Sequence, residues 1–170
     1  MEFRRLGASD DLTGFSCGDS DIDDRFRNFA LQNQNRGLSS THVAVDAGRV
    51  VGFATLYCYG VEASEFPKNL VRGLPYRLPV LVLGQLGVGT DHQGQKIGTR
   101  LVLRVIPEAL KQAETAGCFG MVVDALPDRE GFYQRFGFQG FGATPTGAVR
   151  MLLPTTAIRQ GVPPQLADTD

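Results

Sequence analysis

The stretch from Val80 to Ala109 limits the fold more than any other part of the chain. It opens with VLVLGQLGVG, a β-rich and mostly apolar run that predicts a central strand covered on both faces. TDHQGQKIGTRL follows, and Ile97, Leu101, Val105 and Ala109 then recur every four residues, predicting a helix into the 110s with a kink at Pro107. A strand thus feeds a helix through a turn rich in glycine and side-chain amides. The first N–H groups of a helix lack intrahelical acceptors and lie at the positive end of its dipole, so such a turn can hold a phosphate. It can equally be a connection that merely needs glycine geometry. Neither the GxxxxGK of nucleotide-hydrolysing loops followed by Ser or Thr, nor the GxGxxG of dinucleotide folds, is present there.

Strands and helices alternate elsewhere. FRRL predicts a first strand, and DSDIDDRFRNFALQNQ a helix with acids at its start and Ile22, Phe26, Phe29 and Ala30 at helical spacing. THVAVD and VVGFATLYCY predict strands about a turn near Asp46–Gly48. Residues 61–79, with three prolines, predict a loop containing a short helix. FGMVVDAL, GFQGF and AVRMLLP predict three more strands, with a short helix at DREGFYQRF. The expected fold class is α/β in one domain over residues 1–154, followed by a frayed polar tail over 155–170.

Composition narrows the function. At 170 residues and net charge −1, the chain as a whole gives no reason to expect nucleic acid or an anionic membrane as partner. Its bases are concentrated, however: residues 68–111 carry seven Lys and Arg against Asp91 and Glu108. Lys96, Arg100, Arg104 and Lys111 share roughly one helix face. Cys17, Cys58 and Cys118 lie far apart, which fits a reducing compartment; Cys58 is expected in the core. MEFRRLGASDD has no apolar segment of a signal peptide, and no run reaches spanning length, so a cytoplasmic protein without a membrane partner is expected. His42 and His92 are isolated and no cluster has ligand spacing, so no metal is expected.

LGQLGV, then DHQGQKIGTRLV, then FYQRFGF resemble the GNAT family of acetyl-CoA-dependent N-acetyltransferases. That family carries a Q/R-x-x-G-x-G/A signature between its fourth strand and third helix, and an FYxxxGF element near its end. Gln93 and Gly98 match the ends of the signature; Lys96 stands where the middle glycine is usual. The resemblance spans about residues 2–153. It implies a mixed, mostly antiparallel sheet splayed at a central strand, with helices on both faces and Gly87 at the splay. It implies acetyl-CoA as cosubstrate, its pyrophosphate on the N–H groups of Gln93, Gly94, Gln95, Lys96, Ile97, Gly98 and Thr99. Leu86, Gly87 and Val88 would pair with the pantetheine arm, and Phe132 would pack near it. Lys96 is expected to keep a negative φ, because a side chain strains a positive one.

By the same resemblance Tyr133 is the general acid that protonates the departing thiolate, a task a phenol can perform. On the residues alone, Phe132 and Tyr133 could both be packing residues of a short helix. Glu62, Glu65 and Asp124 are candidate bases by position, and water-relayed deprotonation is equally compatible. FSCGDSDIDDRFRNFALQNQNRG followed by THVAVD resembles the opening of GNAT toxins from bacterial toxin–antitoxin pairs. That narrower likeness implies aminoacyl-tRNA as acceptor amine, a small DNA-binding antitoxin and a homodimer. A small-molecule or peptide amine remains an alternative, as does an acyl-CoA-binding or interaction module without turnover.

Overall fold

The computed structural model describes residues 1–161. Strands β1 (Glu2–Arg5), β2 (Ser40–Asp46), β3 (Arg49–Glu62), β4 (Arg77–Val88), β5 (Gly120–Ala125), β6 (Gln139–Ala143) and β7 (Val149–Pro154) form one sheet in the order β1-β2-β3-β4-β5-β7-β6. The helices are α1 (Ser20–Asn35), α2 (Lys68–Val71), α3 (Ile97–Thr115), α4 (Glu130–Gln134) and α5 (Thr155–Ile158). The expected α/β class and mixed sheet are therefore found. The pairing of β4 with β5 is parallel and runs from Val80↔Gly120 to Val82↔Val122, while β2–β3 and β5–β7 are antiparallel. That pairing ends upstream of Gly87, the residue picked from the sequence as the break.

Contacts gather into two compact units. Among the described residues, Met1–Tyr57 and Gly84–Val105 form the first; Cys58–Leu83 and residues 106–161 form the second. In the first, Phe26 stacks on Phe53 at 3.8 Å between ring centres, and Phe15 meets both edge-on. Leu6, Val43, Val45 and Val50 complete that core. The β2–β3 turn has positive φ at Ala47 and Gly48, the two-residue geometry that matches strand twist. In the second unit Phe66 packs on Phe119 and Phe141, with Val61, Leu78, Val80, Val122 and Leu152 around it.

Helix α1 starts as its acids suggest: the Asp19 carboxylate caps it, accepting from the N–H groups of Asp21 and Ile22. Helix α3 continues through Pro107 to Thr115. Three features differ from the sequence reading. Cys58 is exposed, because β3 is uncovered from Tyr57 to Tyr59 and an apolar run there does not mean burial. Beta strand β4 begins at Arg77, earlier than the prolines suggest. Thr155 opens a helical turn, 4% exposed, with its hydroxyl donating to the Cys118 carbonyl at 2.6 Å. Residues 162–170 of the expected tail lie outside the described residues. No described helix is long and apolar enough to cross a membrane.

Candidate active site

The turn between β4 and α3 belongs to the first unit. A 3-10 turn over Thr90–His92 leads to Gln93 in extended geometry, Gly94 at φ +79° and Lys96 at φ +60°. The Arg100 N–H donates to the Lys96 carbonyl at 3.0 Å, making Arg100 the first donor of the helical ladder. The amides of Ile97 and Gly98 therefore precede it, at the positive end of a 19-residue helix. Left-handed residues alternating with others aim successive N–H groups to one side, a concavity suited to an anion. Gln93, Gly94, Gln95 and Lys96 are exposed, whereas Ile97 and Thr99 are buried and anchor the helix. The expectation of a negative φ at Lys96 is overturned. The turn retains the geometry of the missing glycine, and the lysine adopts it at a cost of roughly 1 kcal/mol.

The Gln93 side chain does not point its donors at a ligand. Its Nε2 donates to the carbonyls of Cys17 and Val88, each at 3.1 Å. Cys17 is held in turn by Asp23, 3% exposed, which accepts from the Cys17 N–H and the Ser16 hydroxyl, both at 2.8 Å. Burial works to raise the Asp23 pKa, but these donors outweigh it and the carboxyl lies below its usual range. The Thr90 N–H donates to the Ser16 carbonyl at 3.0 Å, a further tie between the FSCG loop and the turn. Burial pushes the Cys17 thiol up, so it is no activated nucleophile. Asp23 was missed from the sequence, where it reads as one more acid of a helix start.

Leu86 and Val88 are half-buried on β4, with buried Gly87 between them. A Cβ at Gly87 would sit 2.6 Å from Cε1 of Phe53, so the glycine admits that ring. Gly52 on β3 plays the same part for α3: a Cβ there would lie 3.0 Å from Ile97 and 3.1 Å from Leu101. The start of α3 is thus seated on the backbone of β3.

Tyr133 lies in the second unit, on α4, and is 8% exposed. Its ring meets Phe132 at 5.0 Å and Phe138 at 5.8 Å, both edge-on. Burial pushes its phenol pKa up to about 12, against an opposing pull from Arg129. Phe132 is half-buried, with the Arg135 guanidinium 5.2 Å from its ring centre.

Two of the three candidate bases share one arginine. Arg150 donates to both oxygens of Asp124, at 2.8 and 3.2 Å, and to Glu65 at 2.8 Å. Glu62 faces Arg77 at 4.0 Å and accepts from the Tyr76 hydroxyl. Arg150, in AVRMLLP, carried no sequence signal beyond one charge in an apolar strand. Two cations of the α3 face are also engaged, Arg100 over the Phe3 ring at 4.4 Å and Lys111 on Glu108 at 2.7 Å. Among the described residues no group of three His, Cys, Asp or Glu could hold a metal.

Residues 37–140 match the family described as acetyltransferase (GNAT) domain. A protein of Mycobacterium tuberculosis (strain ATCC 25618 / H37Rv) named tRNA-acetylating toxin is 34% identical over 151 residues, 88% of this chain and 89% of its own. The chain belongs to the GNAT acetyltransferase family. Solved GNAT structures share its fold. AtaT complexed with acetyl-methionyl-tRNAfMet has a TM-score of 0.82 at 22% identity, covering 94% of this chain and 97% of AtaT. A mutant AtaT toxin bound to the C-terminus of the antitoxin AtaR and acetyl-CoA has a TM-score of 0.75 at 21% identity, covering 94% and 96%. As a GNAT acetyltransferase the chain takes acetyl-CoA as cosubstrate.

Proposed function

We propose that this GNAT domain, residues 1–154, transfers the acetyl group of acetyl-CoA to the α-amine of an aminoacyl-tRNA and so blocks translation. The observation that carries this reading is the 34% identity to a tRNA-acetylating toxin along 88% of the chain. The turn supports it, because backbone amides of Gln93 to Thr99 suit the pyrophosphate and Gln93 and Asp23 brace that turn from behind. Leu86, Gly87 and Val88 are assigned to the pantetheine arm, and Phe132 to packing beside it. The amine nitrogen attacks the thioester carbonyl, a C–N bond forms and the C–S bond breaks. The ammonium proton leaves to water, the coenzyme thiolate takes one from Tyr133, and water returns a proton to the tyrosinate. An α-amine titrates near pH 8, so much of it is neutral without a strong base. Burial keeps Tyr133 protonated at physiological pH, so the phenol is available to developing thiolate charge, as a weaker acid than a free phenol.

By the likeness to AtaT bound to the antitoxin AtaR, a small DNA-binding antitoxin is the proposed partner, with a homodimer as the proposed assembly. A cytoplasmic location follows from that substrate. A second reading, acetylation of a small-molecule or peptide amine, is favoured by the engagement of Arg100 with Phe3 and Lys111 with Glu108. These contacts leave fewer cations of that helix face to meet phosphates. A binding module without turnover is disfavoured by the match to the acetyltransferase family and to a tRNA-acetylating relative. The test is a cell-free translation reaction given the purified chain. Synthesis should stop only when acetyl-CoA is present, and Tyr133→Phe should restore it. Translation undisturbed by an enzyme that releases thiol with simple amines would establish the second reading.

A further inference from the structure

The first unit holds a cavity of about 380 Å³ lined by Arg25, Phe29, Leu38, Ser39, Tyr57 and Gln85, among others. Three features set it apart from incidental surface relief. Phe29 and Leu38 are 50% and 61% exposed, large apolar side chains at its wall without cover. The Ser39 Oγ is buried and has no hydrogen-bond partner. Gly84, also in the lining, lets the Tyr57 ring lie against β4, since a Cβ there would be 2.5 Å from Tyr57 Cε1. An aromatic floor, an apolar wall and an unmet hydroxyl together describe a ligand site.

The place of the cavity on β4 says which ligand. Gly84 and Gln85 directly precede Leu86–Val88 on the same strand. A strand advances about 3.3 Å per residue, so the five residues from Gly89 back to Gly84 cover roughly 16 Å, comparable to an extended pantetheine arm. An arm running from the turn along Val88, Gly87 and Leu86 brings its thioester to the mouth of this cavity. The acceptor amine must meet the thioester there, and in an aminoacyl ester the side chain hangs one carbon from that amine. Resting on the aminoacyl-tRNA reading above, we propose that the cavity receives the side chain of the acceptor amino acid and selects an uncharged, largely apolar one. Phe29, Leu38 and Tyr57 supply the apolar contact, and Ser39 can bond a single polar atom. A carboxylate would pair with the Arg25 guanidinium but lose hydration against Phe29 and Leu38, so aspartate should react more slowly than leucine. An ammonium would meet the Arg25 guanidinium, the charged group of the lining.

The experiment charges one tRNA body with leucine, methionine, aspartate or lysine and measures kcat/KM for acetylation of each. The parent should favour leucine and methionine over lysine by at least tenfold. Phe29→Ala/Leu38→Ser should lower the leucine-to-lysine ratio about tenfold while acetyl-CoA affinity stays put. Both side chains are exposed, so the double variant should fold. Arg25→Glu should raise lysine relative to leucine by a similar factor. Acetylation of all four alike, or ratios unmoved in these variants, overturns the side-chain assignment while leaving the aminoacyl-tRNA reading intact. No acetylation of any charged tRNA, with thiol release on simple amines, overturns that reading and this inference with it.

Discussion

The side-chain amide of Gln93 donates to the backbone carbonyl of Cys17 at 3.1 Å across a separation of 76 residues. The same nitrogen holds the Val88 carbonyl, so one side chain joins the end of β4, the FSCG loop and the cofactor turn. The side chain of the signature glutamine is here a brace, which leaves its backbone N–H as the part proposed to face the anion. Gln93→Ala should weaken acetyl-CoA binding about tenfold, because a looser turn must be ordered on binding. Its hydrogen-exchange protection at Gly94 to Thr99 should fall in the free protein and recover when acetyl-CoA saturates it. Unaltered affinity would mean that the turn holds its shape without the brace.

Lys96 at φ +60° makes a prediction about stability. Lys96→Gly relieves left-handed strain of roughly 1 kcal/mol but gains unfolded-chain entropy of similar size. Its melting temperature should stay within a few degrees of the parent and its acetyl-CoA affinity within about tenfold. Lys96→Val should melt clearly lower, since a β-branched residue tolerates that φ worst. Lys96→Glu should bind acetyl-CoA less well, most visibly at low salt where its charge is least screened. Equal stability of the glycine and valine variants would remove the strain from the account.

Tyr133→Phe keeps the buried ring and its edge-on contacts but takes away the proton. Turnover should fall about 10²–10⁴-fold, the usual range for general acid–base catalysis, with acetyl-CoA affinity held. A parallel loss of both would reduce Tyr133 to a packing residue.

Two pKa shifts give the stability profile its edges. The Arg4 guanidinium bonds both oxygens of Asp10, at 2.7 and 2.8 Å, and holds that carboxyl below its ordinary value. A lowered pKa contributes stability above the unfolded value of 3.8, lost as pH falls through the folded one. Asp10→Asn should therefore melt lower than the parent at pH 6 and approach it toward pH 2. Tyr133 is shifted the other way, from 10 to about 12, so its contribution is complete below pH 10 and lost as pH climbs through 12. Tyr133→Phe should flatten that alkaline limb. Thermal melts across the pH range check both slopes.

Most of the fold was legible because β4, the turn and α3 announce themselves by period: an apolar run, then glycines, then apolar residues four apart. A candidate for the site could be named where a residue type has few uses, as with the tyrosine of FYQRFGF, whose catalytic role is a proposal. It was not legible where the role depends on a distant partner. Asp23 reads as a helix-start acid until Cys17 and Ser16 are seen around it, and Arg150 as a stray charge until Asp124 and Glu65 meet it. Gly52 and Gly84 look like weak points of strands; their purpose is the space they leave for α3 and for Tyr57. The sign of φ at Lys96 was misjudged because propensity favours the unstrained choice, and the turn overrides it. Cys58 was misplaced because hydrophobicity predicts burial only where something lies above the strand.

Mass spectrometry tests the central claim most directly. The purified chain would be incubated with charged total tRNA and acetyl-CoA, and the tRNA then digested to release aminoacyl-adenosines. The account predicts a gain of one acetyl group on the α-nitrogen of a subset of these adenosines, absent with Tyr133→Phe. It also predicts a rate under subsaturating tRNA that falls steeply with salt, as phosphate contacts require. Unmodified aminoacyl-adenosines beside rapid acetylation of a free amine would contradict it.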